Sequence, residues 1–170
     1  FGELALISDE KRLATIRARG RCIVLVFDKV AFQTLFMDTA ESVADFAIRL
    51  LQQKSELKHI IMHPVGFLKF YKYLAGEYST ESIKFWQHSR LYEKALLNER
   101  KVIAHEVYDM YIHKDAEFLI NIPSTMTIEI EKGLKAGVYK KDLFEKARLE
   151  IYKLMERDNF KRFKASKLFA

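Results

Sequence analysis

The sequence has a single cysteine, Cys22, among its 170 residues. One thiol cannot form an internal disulfide, and such chains are typical of reducing compartments, so we expect a cytoplasmic protein. No apolar run approaches the roughly 20 residues that a membrane-spanning helix needs, and no signal-peptide pattern is present. The sequence begins at Phe1 rather than at a methionine, so we expect that its N-terminus is either a processing point or a truncation.

Proline and glycine are also scarce, with two prolines and six glycines in the whole chain. From Asp38 onward the apolar residues recur about every 3.6 positions, which predicts that this part of the chain is helical. Pro64 and Pro123 are each predicted to lie where one helix ends and another begins. Asp142 followed three residues later by Glu145 has the pattern of a helix capping box. The predicted helices are 65–76, 80–97, 99–113, 126–136, 142–157 and a short one from Phe160, with a loop over 114–125.

The first 36 residues have a different pattern. Residues 14–18 alternate between apolar and polar side chains, and residues 22–27 form a short apolar run between Gly20 and Asp28. Both patterns predict β-strands. Asp28 is placed to cap a short helix that follows. We therefore expect a mainly α fold with a small β part at the N-terminus.

Charge of one sign does not dominate the chain. The 29 basic and 23 acidic residues give a net charge of +6 that is dispersed along the sequence. Because no interleaved basic and aromatic motif is present, nucleic acid is not an expected partner. The basic cluster in 161–167 leaves open a peripheral contact with anionic lipid, although such clusters are more often solvated. His59 and His63 have the spacing of a helical zinc site but lack a third ligand, so no metal is expected.

Apolar residues at helical spacing predict the core, where one buried aromatic side chain contributes about 1.5–3 kcal/mol. Trp86 belongs to this set and is therefore expected to be structural rather than a ligand-stacking residue. The helix 142–157 should bury Phe144, Ala147, Ile151 and Leu154. The other expected core residues are Phe70, Leu74, Phe85 and Tyr108.

Three separated clusters stand out in the helical part: residues 66–70 with 77–86, the loop 116–122, and residues 143–163. In order and spacing they resemble the regulator of G-protein signalling (RGS) domain, and the resemblance covers about 59–170. It implies an RGS-type helical bundle.

In RGS domains, polar residues of these clusters hold the switch segments of a GTP-bound Gα subunit. The resemblance implies an activator of a GTPase, a regulator of G-protein signalling that is not itself an enzyme and requires no cofactor. By carry-over, Asn121 reaches the catalytic Gln and a switch Thr of Gα, Asp158 and Arg162 hold switch I, and Leu154 adds apolar contact. The implied Gα-binding residues are Glu77, Tyr78, Ser79, Glu81, Ser82, Asn121, Leu154, Asp158, Asn159 and Arg162.

Taken singly, these residues have ordinary explanations. Asp158 and Arg162 are four apart and match an i,i+4 surface pair, and Asn121 precedes a proline-containing turn. Two positions also depart from the family, since Ser82 replaces an Asn and Leu119 replaces an acidic residue. Both lie on the implied Gα face. The alternative function is an RGS-homology scaffold that binds a signalling partner without accelerating GTP hydrolysis.

At the N-terminus, Phe1–Leu6 and residues 12–18 are similar to the phosphate-binding cassette of a cyclic-nucleotide-binding domain. That chemistry needs a glycine for close backbone approach, a carboxylate for the ribose 2′-OH, and N–H groups with a guanidinium for the phosphate. Leu13 stands where a cGMP site often has Thr, so cAMP is the expected ligand. The implied nucleotide-binding residues are Gly2, Glu3, Leu4, Ala5, Arg12, Ala14 and Thr15.

Together the resemblances divide the chain into residues 1–36, a C-terminal fragment of a cyclic-nucleotide-binding barrel, residues 37–58, a connecting helix, and residues 59–170, the RGS domain. Because 36 residues bury too little surface to be stable alone, we expect weak or no nucleotide binding outside a complete parent domain. In a longer parent protein, cAMP would bias the connecting helix and so the Gα-binding surface. A cyclic-nucleotide sensor module is a further alternative.

Overall fold

The computed structural model describes residues 1–7, 11 and 14–169, and within these ranges it is helical with no β-strand. A short 3₁₀ helix occupies Gln52–Lys54, and the chain divides into two compact units, residues 1–70 and residues 71–170. The α-helices are α1 Leu4–Ile7, α2 Lys29–Phe36, α3 Ala40–Leu51, α4 Leu57–Met62, α5 Pro64–Gly76, α6 Glu81–Lys94, α7 Leu97–Tyr111, α8 Ser124–Lys135, α9 Glu145–Arg157 and α10 Asn159–Lys164.

The prediction of a mainly α fold is confirmed, but the two predicted N-terminal strands are wrong for the described residues. Residues 14–19 and 22–28 have no regular structure, and the side chains of Ile23 and Leu25 are 92% and 84% exposed. A strand satisfies its backbone N–H and C=O groups only by pairing with a second strand. No described segment pairs with these residues, so their apolar pattern alone does not produce a sheet.

In the first unit, α3 packs against α4, and α1 contacts both α2 and α3. The ring of Phe32 on α2 lies 4.9 Å from that of Phe46 on α3. The Asp28 carboxylate accepts a hydrogen bond from the Ala31 backbone N–H at 2.9 Å, which confirms the predicted helix cap. Residues 37–58 contain α3, the 3₁₀ turn and the start of α4 rather than one continuous helix. The predicted domain boundaries stay predictions.

Both histidines of the α4 region accept hydrogen bonds from backbone N–H groups at the starts of helices. His59 Nδ1 accepts from the Glu56 backbone N–H at 3.1 Å, and His63 Nδ1 accepts from the Gly66 N–H at 3.1 Å. Burial lowers the pKa of His59. At Gly66 a Cβ would lie 2.6 Å from the Ile60 carbonyl oxygen, so only glycine lets the start of α5 come this close to α4.

The core of the second unit is aromatic and lies where α6 packs against α7 and α9. Phe85 on α6 contacts Tyr111 and Phe144 edge-on, at ring distances of 5.7 and 6.5 Å. Tyr92 is fully buried, donates to the Lys140 carbonyl at 2.7 Å, and has its pKa raised by burial to about 12. The first turn of α9 follows Phe144, and α10 packs back on α9.

Most of the predicted core residues are buried, but two are not. Tyr108 is half-buried and donates to the Glu131 carboxylate at 2.8 Å, whereas Tyr111, three residues later, is fully buried. Leu154 is likewise half-buried, and Met155 occupies the core instead. In both helices the buried face differs from the one that the simple 3.6-residue count predicts, because the packing of neighbouring helices, and not the periodicity alone, decides which side is covered.

Other helix boundaries separate into confirmed and corrected ones. Pro64 opens α5 and Pro123 is the N-cap of α8, as predicted. The predicted capping box at Asp142 is wrong, since α9 begins at Glu145 and the Asp142 carbonyl, not its side chain, accepts from the Glu145 N–H.

In the described ranges no helix is both long and apolar enough to cross a membrane, and no group of three or more acidic, His or Cys side chains is placed to hold a metal ion.

Candidate functional site

The turn between α5 and α6 presents two of the predicted binding residues. The Ser79 N–H donates to the Leu74 carbonyl at 3.0 Å and the Tyr78 N–H donates to the Ala75 carbonyl at 3.2 Å, which is a Schellman ending for α5. Tyr78 occupies its left-handed position with φ of 53° and is 96% exposed. A non-glycine residue in this conformation is uncommon and costs of order 1 kcal/mol, so the turn projects an aromatic ring into solvent at some expense of stability.

Glu77, directly before this turn, is the centre of a polar network. Its carboxylate accepts two hydrogen bonds from the Arg162 guanidinium, from Nε to Oε1 and from Nη2 to Oε2, both at 2.9 Å. The Tyr73 hydroxyl donates to Oε1 at 2.6 Å, and the Asn159 amide donates to Oε2 at 3.2 Å. Four donors therefore hold one carboxylate, and the network joins α5 to α10 across more than 80 residues of sequence.

The break between α9 and α10 supplies the other half of this network. The backbone leaves helical geometry at Asp158, with φ of −112° and ψ of −77°, and α10 begins at the next residue. Arg162 Nη1 donates to the Asp158 carboxylate, and the Asn159 amide also reaches the Ser79 hydroxyl at 3.4 Å. The break therefore places an acid, an amide and a guanidinium at one end of the bundle. Because the guanidinium contacts two carboxylates, its pKa is raised.

The loop between α7 and α8 is fixed at its base and exposed at its tip. The Phe118 N–H donates to the Met110 carbonyl at 3.0 Å, and the Ile120 N–H donates to the Tyr111 carbonyl at 2.9 Å. Ile120 is buried, whereas its neighbours Leu119 and Asn121 are exposed. This alternation is that of an extended segment with one inward face. The Asn121 amide is thus held out to solvent by backbone bonds on either side of Leu119.

Comparisons with known proteins decide the family. A family model described as "Regulator of G protein signaling domain" matches residues 56–170, which is more than half of the chain. The chain belongs to the RGS domain family. The RGS resemblance read from the sequence is therefore confirmed, while the match leaves the cyclic-nucleotide resemblance of residues 1–36 as a prediction.

Curated relatives agree with this assignment. Human "Regulator of G-protein signaling 1" is 30% identical over 123 residues, covering 72% of this chain and 58% of the relative. Mouse "Regulator of G-protein signaling 13" is 29% identical over 121 residues, covering 71% of this chain and 75% of the relative. Rat "Regulator of G-protein signaling 14" is 28% identical over 116 residues and is covered over 21% of its length. The chain thus spans less than two thirds of the length of the human relative.

Within the RGS domain, the structure brings together some of the predicted binding residues and leaves others apart. Glu77, Ser79, Asp158, Asn159 and Arg162 form the single network already described. Glu81 and Ser82 open α6, where the Ser82 hydroxyl donates to Glu81 at 3.4 Å. Among the residues that the structure describes, the hydrogen bonds of that network do not include the side chains of Asn121 and Leu154. Their role as binding residues stays a prediction.

Three residues near the site were not predicted from the sequence. Tyr73 lies one helical turn before Glu77, so its i,i+4 spacing is a signal that was available. Lys84 and Phe118 contact each other from α6 and the α7–α8 loop, and 34 positions separate them in the sequence. No local pattern connects residues so far apart.

The network makes a prediction about acid stability. Hydrogen bonding to Arg162 is the main reason that the pKa of Glu77 falls from 4.5 to about 2. Since the folded pKa is lower than the unfolded one, the stabilisation is complete above pH 4.5 and is lost as the pH falls toward 2. We expect a loss of about 1 kcal/mol between pH 5 and pH 3, kept small because solvent screens a partly exposed carboxylate. Urea unfolding at several pH values measures it.

The matched variant for this prediction is Glu77→Gln, which keeps the side-chain length and removes the titrating group. Its free energy of unfolding should change less between pH 5 and pH 3 than that of the unsubstituted chain. Equal pH slopes for the two proteins would contradict the assignment of this stabilisation to Glu77. Glu129→Gln, at an exposed carboxylate paired with Lys146, is the control and should keep the original slope.

The described N-terminal residues line a cavity of about 780 Å³. Gly2 has φ of 83°, and α1 begins two residues later at Leu4, so the predicted residues Leu4 and Ala5 lie in the first turn of that helix. Gly2, Glu3 and Ala14 are among the lining residues, and Ala14 and Thr15 are exposed. Arg12, the predicted phosphate ligand, lies outside the described residues.

Proposed function

We propose that this RGS domain binds the switch segments of a GTP-bound Gα subunit and accelerates its GTP hydrolysis. The observation that carries the proposal is the network centred on Glu77, because it orders Asp158, Asn159 and Arg162 on one surface before any partner arrives. Ordering long side chains costs entropy when it happens on binding, and a surface that is already ordered avoids that cost. The exposed Tyr78 ring borders the same turn.

The mechanism needs no catalytic group from this chain. A Gα subunit carries its own arginine and hydrolyses GTP at about 10⁻² per second. A partner that binds the transition-state arrangement of the switch loops more tightly than the ground state lowers the barrier by that difference. An acceleration of about 100-fold needs a preference of about 2.7 kcal/mol, which a few charge-assisted hydrogen bonds supply. In this proposal Asn121 orients the catalytic Gln, and Asp158 and Arg162 hold switch I.

Single-turnover hydrolysis tests the proposal. Gα subunits of inhibitory and stimulatory classes are loaded with GTP, and phosphate release is followed with increasing amounts of this chain. Acceleration of about 100-fold for at least one class is expected. A Gα whose catalytic Gln is replaced should bind without being accelerated, which serves as the control. Binding without acceleration of any unsubstituted Gα would favour the scaffold function, and absence of both would overturn the proposal.

A second candidate function is cyclic-nucleotide binding by the N-terminal residues, favoured by the cavity next to Gly2 and Glu3. In this proposal the Glu3 carboxylate accepts from the ribose 2′-OH and Arg12 meets the cyclic phosphate.

Peripheral contact of the basic residues 161–167 with anionic lipid, and a cytoplasmic location, likewise stay proposals.

Fluorescence anisotropy with labelled cAMP measures this second function. We expect weak binding that prefers cAMP over cGMP, and a loss of about 10-fold for Glu3→Ala, in line with a lost charge-assisted hydrogen bond. Glu41→Ala, at an exposed acid of the same unit, is the control. If Glu3→Ala binds cAMP as the unsubstituted chain does, the nucleotide assignment is wrong, and the Gα proposal is unaffected.

A further inference from the structure

The α7–α8 loop is attached to α6 by a cation–π contact. The ammonium group of Lys84 lies 3.7 Å from the centre of the Phe118 ring, and both side chains are half-buried. At that distance the charge lies directly over the negative face of the ring. Lys84 lies two residues after Ser82 on α6, and Phe118 lies three residues before Asn121. The contact therefore joins two of the three clusters of predicted binding residues.

A second attachment runs beside the first. The Tyr111 hydroxyl lies 2.7 Å from His88 Nδ1, one turn after Lys84 on α6, and the Tyr111 ring contacts Phe118 at 6.2 Å. The Tyr111 carbonyl also holds the Ile120 N–H. Tyr111 is fully buried and cannot shift without repacking the core. Phe118 is therefore held between a fixed tyrosine and a lysine on α6, and both Lys84 and Phe118 are partly exposed and can be substituted without replacing the buried Tyr111.

We propose that Lys84 and Phe118 form a clamp that sets the position of the Asn121 loop relative to the first turn of α6, and that Lys84 is a positioning residue for recognition of Gα. The inference rests on the proposed function. If the clamp opens, the loop spends less time in the binding-competent position, and the apparent affinity for Gα falls in proportion. A contact of this type corresponds to roughly 3- to 30-fold in an equilibrium constant.

The half-maximal concentration and the maximal rate of acceleration distinguish a positioning residue from one that contacts the reacting groups. Lys84→Gln keeps the length of the side chain and removes its charge, and Phe118→Leu removes the ring and keeps an apolar side chain. Each is expected to raise the concentration of this chain needed for half-maximal acceleration about 5- to 10-fold and to leave the maximal rate unchanged. The double variant should be no worse than either single one, because both remove the same contact.

Conservative rescue and a matched contact provide the controls. Lys84→Arg keeps a cation over the ring and should restore the half-maximal concentration to within about 2-fold of the original. Arg90→Gln removes another cation–π contact on the same helix, in which the guanidinium lies 4.9 Å from the Trp86 ring, and should leave the Gα response unchanged. Lys84→Gln and Arg90→Gln should unfold at similar urea concentrations.

Amide hydrogen exchange tests, without Gα, whether the Lys84–Phe118 clamp holds the loop in place. In Lys84→Gln, the amides of residues 116–122 should exchange about 5- to 10-fold faster than in the unsubstituted chain, while Lys84→Arg and Arg90→Gln leave them unchanged. Unchanged exchange in Lys84→Gln, or equal defects in Lys84→Arg and Lys84→Gln, would overturn the clamp. If the unsubstituted chain accelerates no Gα, the proposed function fails, and the exchange rates still test the clamp.

Discussion

Replacing Asn121 with alanine is expected to reduce the acceleration of GTP hydrolysis by about 100-fold, which corresponds to about 2.7 kcal/mol of transition-state stabilisation. The amide is exposed on a loop whose backbone is fixed by hydrogen bonds from Phe118 and Ile120. Truncation therefore removes polar atoms from the surface and leaves the loop in place. Single donors aimed at a transition state contribute factors of about 10²–10³ elsewhere, so the expected loss is of ordinary size.

Two further measurements show whether Asn121 acts on the transition state. Binding to Gα is compared between the form loaded with GDP and aluminium fluoride, which mimics the transition state, and the form loaded with a non-hydrolysable GTP analogue. The unsubstituted chain should prefer the first form, and Asn121→Ala should lose that preference. If Asn121→Ala keeps full acceleration, Asn121 does not orient the catalytic Gln of Gα.

Asn98→Ala is the matched control for this prediction. Asn98 is exposed near the start of α7, so the change removes the same atoms from a part of the surface that carries no predicted binding residue. Its acceleration and its urea midpoint should equal those of the unsubstituted chain. A similar loss in Asn98→Ala would indicate a general effect of truncation and not a role for Asn121.

Helix locations could be predicted from the sequence because they depend on near neighbours. The start of α5 at Pro64, the cap of α2 by Asp28 and the burial of Phe85 follow from proline geometry, side-chain capping and 3.6-residue spacing. The same local reasoning predicted strands over 22–27. That prediction failed because a strand depends on a partner, and the apolar run carries no information about whether one is available.

The polar network shows the corresponding limit at the site. The sequence pattern and the family resemblance pointed to Asp158 and Arg162 as a pair, and their four-residue spacing made a helical contact plausible. Neither suggested that the same guanidinium would also hold Glu77, 85 positions earlier in the chain. Such a contact depends on how α5 and α10 pack. Periodicity places the two residues at the ends of helices but does not say which ends meet.

Reversing the charge at position 162 is expected to have an effect as large as that of Asn121→Ala. Arg162→Glu puts a third carboxylate beside Glu77 and Asp158 and removes both of the guanidinium hydrogen bonds to Glu77. Like charges this close repel, so the ordered positions of Asp158 and Asn159 should be lost. We expect the acceleration of GTP hydrolysis to fall at least about 100-fold, consistent with the loss of two or three charge-assisted contacts. Lys146→Glu, which reverses one charge of the exposed pair with Glu129, is the control and should keep the acceleration.

A charge swap separates the two roles that Arg162 has in this proposal. Glu77→Arg combined with Arg162→Glu again pairs opposite charges between α5 and α10, so the urea midpoint should recover most of what Arg162→Glu alone loses. The guanidinium would then start from position 77 instead of position 162. Because a two-pronged contact with switch I depends on where the side chain begins, the relocated guanidinium should not reproduce it. We therefore expect the acceleration to stay at least about 10-fold below the original. Full recovery of acceleration in the swapped protein would mean that Arg162 only holds α10 against α5, and that Asp158 and Asn159 make the contacts with Gα.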